Sequence, residues 1–201
     1  MSETPRIDHV LDVMRGFLEG HARLDTVASH WNGFEGWLKS ELASELRRRF
    51  DVFPWRQNAA GKWEHGQIGV EYRYARSERA ESEKAKLIDL WLGNPRTLYF
   101  ELKVAFANSN ATKQLRSWRA DFEKLTAILD GEADIDGFAS VLVAVGHDEA
   151  GWRRATDELR SDPHFYGAST LSSRCLIDVG TIRFAALRRD LHDPGDRTDT
   201  Q

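Results

Sequence analysis

Within residues 87–105, LIDLWLGNPRTLYFELKVA, two carboxylates and an amine stand inside otherwise apolar sequence: Asp89, Glu101 and Lys103. The run Gly93-Asn94-Pro95-Arg96 is a strong turn signal, and the sequence on either side alternates with a period of two. Ile88, Leu90 and Leu92 are expected to face one way and Leu87, Asp89 and Trp91 the other. In the second run Leu98, Phe100, Leu102 and Val104 oppose Tyr99, Glu101 and Lys103. A hairpin centred on Pro95 would set Asp89 opposite Glu101, with Cβ atoms about 5 Å apart. Carboxylates that close repel, and burying them is costly unless something positive lies between. A hard divalent cation such as Mg²⁺ or Mn²⁺ meets that need, since it takes one or two carboxylates plus waters and substrate oxygens. Lys103, on the same face as Glu101, is placed to orient or deprotonate a water, or to stabilise charge on a phosphoryl oxygen.

The elements that must carry these residues follow from periodicity. Val10, Leu11, Met14, Phe17 and Leu18 predict a helix from Ile7 to Glu19 that stops at Gly20. Phe34, Leu38, Leu42 and Leu46 predict a stronger one from Trp31 to Arg49, capped by Asn32. Val70, Tyr72 and Tyr74 alternate with Glu71 and Arg73 as a strand beginning near Gln67. The charged stretch 75–86 reads as a loop or short exposed helix before strands at Leu87–Leu92 and Leu98–Ala105. A helix from Lys113 to Asp130, a buried strand from Phe138 to Gly146 and a helix from Trp152 to Leu159 follow. One or two strands are expected between Cys175 and Leu187. The resulting order, α-α-β-β-β-α-β-α-β, predicts an α/β fold: a three-layer αβα sandwich with a mixed, partly antiparallel sheet. A single domain is expected over residues 1–191, with 192–201 as a disordered tail.

Composition narrows the function classes. The chain has 201 residues, enough to bury roughly two thirds of its unfolded surface without a metal or disulfide staple. One cysteine, Cys175, precludes an intramolecular disulfide and suits a reducing compartment. No apolar run approaches the roughly 18 residues of a membrane span, and the amino terminus lacks a secretory core, so a cytoplasmic protein with no membrane partner is expected. A net charge of −4 argues against coating nucleic acid by bulk electrostatics, while leaving room for an acidic metal site with local basic groups. His65, His147 and His164 lack paired spacing, which disfavours zinc. No phosphate-binding glycine loop, dinucleotide fingerprint or nucleophile elbow is present.

Asp89, an eleven-residue spacer, then Glu101-Leu102-Lys103 resembles the Asp-spacer-Glu-x-Lys signature of the PD-(D/E)xK nuclease superfamily. Ile88 stands where that signature often has proline. The order of elements from residue 31 to 146 is similar to the family's restriction-endonuclease-like αβββαβ core, here preceded by an extra helix. An isolated Glu-x-Lys is usually a solvated surface pair; the symmetric register and the apolar strands set this one apart. The resemblance implies a nuclease hydrolysing phosphodiester bonds with Mg²⁺ or Mn²⁺, on DNA ahead of RNA, as an endonuclease ahead of an exonuclease. Asp89, Glu101 and the Leu102 carbonyl would bind metal, Lys103 would assist the attacking water, and a helix glutamate would complete the cluster. Glu35 is the first candidate for that glutamate, then Glu41 and Glu45, and Glu71 could also line the site. Gln114 with Trp118 is similar to a Gln-x-x-x-Tyr pattern of exonuclease-like branches, and Asp121 to Leu125 resembles a recurrent stretch of stand-alone members. Lys113, Arg116 and Arg119 are candidate phosphate contacts; Arg47, Arg48 and Arg49 suit a helix carboxyl end as well as a phosphate. Trp55 and Trp63 are candidates for stacking on bases. Specificity would come from a homodimer or a protein partner. The competing expectation is a catalytically silent copy of the fold serving as a protein-binding module, of immunity, antitoxin or defence-complex type.

Overall fold

The computed structural model describes residues 6–20, 24, 33–52, 56–57, 63–64, 67–73, 87–93, 97–107, 111–129, 135–171 and 181–191. Helix α1 spans Ile7–Gly20 and buries Ile7, Val10, Leu11, Met14 and Leu18, one stripe of a 3.6-residue period. Helix α2 spans Phe34–Phe50 and buries Phe34, Leu38, Leu42, Leu46 and Phe50, one residue per turn. Its N-cap is not Asn32, which lies outside the described residues, but Gly33, whose φ of 85° suits a residue without a Cβ and which makes no side-chain cap bond. The expected caesura after Arg49 falls at Asp51, also left-handed, whose N–H donates to the Arg47 carbonyl.

Two short strands, β1 (Arg56–Gln57) and β2 (Trp63–Glu64), pair as a separate antiparallel ribbon that periodicity does not reveal. The main sheet is built from β3 (Ile68–Arg73), β4 (Leu87–Leu92), β5 (Leu98–Phe106), β6 (Gly137–Val145), β7 (Phe165–Thr170) and β8 (Ile182–Asp190). These six strands lie in the order β3-β4-β5-β6-β8-β7. β3, β4 and β5 form an antiparallel meander, β6 runs parallel to β5, and β8 and β7 are antiparallel to their neighbours. The parallel step is made possible by α3 (Ala111–Leu129), which carries the chain back between β5 and β6. Helix α4 (Glu149–Asp157) starts three residues before the expected Trp152, capped by the Asp148 carboxylate accepting from Gly151 N–H. The strand β7 is an addition to the expected order: FYGAST is short and carries a register shift between Phe165 and Gly167, which hides its alternation. Of the expected span from Cys175, the part from Ile182 is strand, and Cys175 itself lies outside the described residues.

Alternate strand residues divide between two apolar cores. Leu98, Phe100, Leu102 and Val104 of β5 and Ala139, Val141, Val143 and Val145 of β6 pack with α1 and α2. Tyr99 and Ala105 of β5 and Phe138, Leu142 and Ala144 of β6 pack with Trp118, Phe122, Leu125 and Leu129 of α3 and Trp152 of α4. All nine residues of β6 are buried, as its unbroken apolar run requires. Trp91 lies across two glycines: a Cβ on Gly69 would come 2.2 Å from its Nε1, and one on Gly93 would come 2.5 Å from its six-membered ring. Among the described residues no helix is long and apolar enough to cross a membrane.

Candidate functional site

The β4–β5 ladder pairs Leu90 with Phe100, Trp91 with Tyr99 and Leu92 with Leu98, a register centred on Pro95. Continued by one step, it brings Asp89 to Glu101, and here backbone pairing gives way to a side chain. Asp89 Oδ2 accepts a hydrogen bond from Leu102 N–H at 2.7 Å, so its carboxylate lies against the peptide joining Glu101 and Leu102. Leu102 therefore meets Asp89 through its N–H. On the other side, Val70–Leu90 and Tyr72–Ile88 pairing places Glu71 opposite Asp89 in register. Glu71, Asp89 and Glu101 thus occupy one row across three strands; the Glu71 side chain lies outside the described residues.

The expected facing of β4 needs one correction. Leu90 and Leu92 enter the core of α1 and α2, but Ile88 packs with Trp91 in the other core. The strand changes its alternation at Asp89, where the carboxylate is drawn to Leu102 N–H and to α2. Asp89 is 8% exposed, and a carboxylate so covered requires partners. It has one that the sequence reading missed: Lys39 of α2, whose Nζ lies 2.6 Å from Asp89 Oδ1. The same ammonium is 3.2 Å from Glu35 Oε1. Burial alone would lower the Lys39 pKa, but the hydrogen bond and charge of Asp89, then those of Glu35, outweigh it and hold the pKa above the ordinary lysine value.

Helix α2 fixes this arrangement by its buried stripe. Leu38 and Leu42 are fully buried, so Lys39, one residue after the first, projects from the margin of the packed face. Glu35, one turn earlier, shares that margin and salt-bridges Lys39 at i,i+4 spacing. Glu45 does not join them: it pairs with Arg48 at 2.6 Å and lines a cleft of about 460 Å³ between α1 and α2, with His9, Asp12 and Phe17. Glu41 is half-buried on the same helix and, of the three glutamates, Glu35 is the one tied to Asp89 through Lys39.

Lys103 is held from the opposite side. Trp118 of α3 donates its indole N–H to the Ser140 carbonyl at 3.2 Å, and Ser140 is the β6 partner of Glu101. That anchor pins α3 beside Glu101 and lets Asp121, three residues on, reach Lys103 Nζ at 3.4 Å. Asp121 also meets Lys124 at 3.7 Å. Gln114, one turn before Trp118, is half-buried, and its Oε1 has no hydrogen-bond partner among the described residues. Lys113, Arg116 and Arg119 are exposed at three-residue intervals along α3; Arg119 bonds Glu123 at 3.1 Å. Arg47, Arg48 and Arg49 are exposed in the last turn of α2.

Several sequence expectations lie outside the described residues: Trp55, the charged stretch 75–86, His65, the tail 192–201 and the side chain of Trp63. His147 is buried with its Nε2 3.1 Å from the Ala105 carbonyl, a packing role. Burial holds the His147 pKa below the ordinary histidine value, assisted by Arg183 and opposed by the Ala105 bond.

Among the described residues no group of three or more His, Cys, Asp or Glu is arranged to hold a metal. What the residues do show is a pair of carboxylates, Asp89 and Glu35, converging on one positive charge. That donor chemistry is compatible with a hard cation held by one or two carboxylates, with waters and substrate oxygens completing its shell. No family model, curated protein or solved structure matches the chain.

Proposed function

We propose that the chain is a metal-dependent nuclease of the PD-(D/E)xK type, built as a three-layer sandwich on a restriction-endonuclease-like αβββαβ core. The observation that carries this reading is the corner at Asp89. There the meander β3-β4-β5 brings Asp89 against the Glu101–Leu102 peptide, with Lys103 one residue further along β5. With the separate β1–β2 ribbon set aside, the order α2, β3, β4, β5, α3, β6 is the order that the resemblance implies.

In this reading Asp89 and Glu101 bind Mg²⁺ or Mn²⁺, which when bound polarises a phosphodiester oxygen and lowers the pKa of a water. Lys103 orients that water, and Asp121 steadies the Lys103 ammonium. Glu35 adds negative charge from α2, and the exposed row Lys113, Arg116 and Arg119 meets backbone phosphates of nucleic acid, DNA ahead of RNA. Gln114 is half-buried between that row and Trp118, and its side chain serves as a further substrate contact.

One observation favours a second reading, a catalytically silent module that binds a protein. Lys39 already pairs with Asp89, so that carboxylate has a cation without a metal. Cleavage of supercoiled plasmid and of an end-labelled single strand, with Mg²⁺, Mn²⁺ or EDTA, separates the two. Metal-dependent cleavage by the wild type, lost in Lys103→Ala at unchanged melting temperature, is the expected result. A folded wild-type protein that binds Mn²⁺ in no assay and cleaves neither substrate would end the nuclease reading.

A further inference from the structure

The Lys39 ammonium already serves as the cation beside Asp89. Asp89 presents two oxygens, and Oδ2 is already engaged by Leu102 N–H at 2.7 Å, which fixes the plane of the carboxylate. Oδ1 remains as the oxygen aimed toward α2, and Lys39 Nζ lies on it at 2.6 Å, with Glu35 Oε1 also 3.2 Å from the ammonium. Both side chains are close to nine-tenths buried: Lys39 is 12% exposed and Asp89 11%. The pairing is therefore little screened by water.

We propose that Lys39 is a built-in counter-ion that occupies the metal position of Asp89 and must swing away before a divalent cation can load. The inference rests on the nuclease reading and adds its regulation: metal access is set by a residue of α2 that belongs to neither strand of the hairpin. The backbone at Lys39 is fixed, because Leu38 and Leu42 are fully buried on either side. A lysine stem has four rotatable bonds, and from the margin of a helix such a stem can carry its ammonium outward to water. With the ammonium seated, a dication at Oδ1 meets a like charge at short range, and its affinity is reduced. Glu35 then has two successive roles, holding Lys39 over Asp89 and facing the metal once Lys39 has left.

Binding of Mn²⁺ alone to the full-length protein, followed by isothermal calorimetry and by the electron paramagnetic resonance of free Mn²⁺, tests this directly. Lys39→Gln is expected to bind Mn²⁺ at least tenfold more tightly than wild type, and Lys39→Arg, which keeps the charge, to remain within about threefold of wild type. Asp89→Asn is expected to lose the site in both the wild-type and the Lys39→Gln backgrounds. Should Lys39→Gln fail to fold, amine footprinting of the wild type carries the test: Lys39 is expected to be protected in EDTA and to react once Mn²⁺ is added, with Lys124 as the exposed reference. Lys39→Gln binding no tighter than wild type, while Asp89→Asn still abolishes binding, would overturn the counter-ion role and leave the metal site standing. Lys39 labelling unchanged at saturating Mn²⁺ would do the same. Absence of Mn²⁺ binding in wild type and Lys39→Gln alike would overturn both this inference and the nuclease reading.

Discussion

Removing the Asp89 carboxylate should destabilise the protein in the absence of any metal, which is the reverse of what a bare acidic cluster would do. In a cluster of repelling carboxylates, deleting one relieves repulsion and raises stability. Here Asp89 has two specific partners, Leu102 N–H at 2.7 Å and Lys39 Nζ at 2.6 Å. Asp89→Ala leaves a buried N–H without its acceptor, at a cost of about 1–3 kcal/mol. The ion-pair part is smaller than the 3–5 kcal/mol of a fully buried pair, because Lys39 keeps Glu35 and can extend its stem to water; about 1 kcal/mol is appropriate. The sum is about 2–4 kcal/mol. Asp89→Asn preserves an oxygen for Leu102 N–H and should cost about 1–2 kcal/mol.

The assay is urea denaturation in EDTA at neutral pH and low salt, read as a change of midpoint at constant slope. A double-mutant cycle of Asp89→Asn with Lys39→Met isolates the pair, and a coupling of about 1 kcal/mol is expected. Added salt should weaken it less than the exposed Arg153–Glu149 pair, since the Lys39–Asp89 contact is mostly covered. A coupling indistinguishable from zero, or an Asp89→Ala protein more stable than wild type in EDTA, would refute the counter-ion account of this corner.

Gly69→Ala should lose about 1–3 kcal/mol, because its Cβ would lie 2.2 Å from the Trp91 indole nitrogen while Gly93 bounds the same ring elsewhere; Trp91→Leu in the same chain should recover part of the loss, and a Gly69→Ala midpoint equal to wild type would contradict the contact. Stability should decline as pH falls below the ordinary histidine value of about 6.5, because the unfolded chain takes up a proton there that buried His147 does not until lower pH. Midpoints measured between pH 7.5 and 5 should fall less steeply in His147→Asn, and an unchanged slope would remove His147 as the cause. Trp118→Phe should cost about 1 kcal/mol or more for the lost bond to the Ser140 carbonyl, and should weaken any activity by loosening α3 beside Glu101; a variant unaltered in both midpoint and cleavage would count against that anchor.

Much of the fold is written in local periodicity. The four-residue recurrence of Phe34, Leu38, Leu42 and Leu46 marks α2, and the unbroken run at 138–145 marks the strand buried on both faces. The centre of the β4–β5 hairpin followed from the turn residues around Pro95, because turn chemistry fixes register wherever two runs of equal length flank it. β7 was illegible because its glycine and register shift break the alternation that a period-two reading needs. The N-cap of α2 was misplaced for a related reason: a polar residue near a helix start is a good prior, yet here a left-handed glycine turns the chain without a side-chain cap.

The candidate site divides along a different line. Asp89, Glu101 and Lys103 lie within fifteen residues of one another, so the alternation of a single hairpin was enough to associate them. Lys39 is fifty residues upstream of Asp89, and on its own helix it reads as an ordinary i,i+4 partner of Glu35. Its contact with Asp89 exists because the stripe Leu38–Leu42–Leu46 docks α2 onto the face that Phe100 and Leu102 also enter, and because β4 changes its alternation one residue before Leu90. Neither condition is local in sequence. A buried acid does, however, announce a requirement: Asp89 sits in an apolar strand, so some cation must serve it, from solution or from the chain. The chain's own cations on elements expected to pack against that strand form a short set, and on α2 Lys39 is the one basic residue before the final turn. Lys39 is thus the α2 residue able to offset the desolvation of Asp89, a pairing whose chemistry the sequence carries even though its geometry is not local.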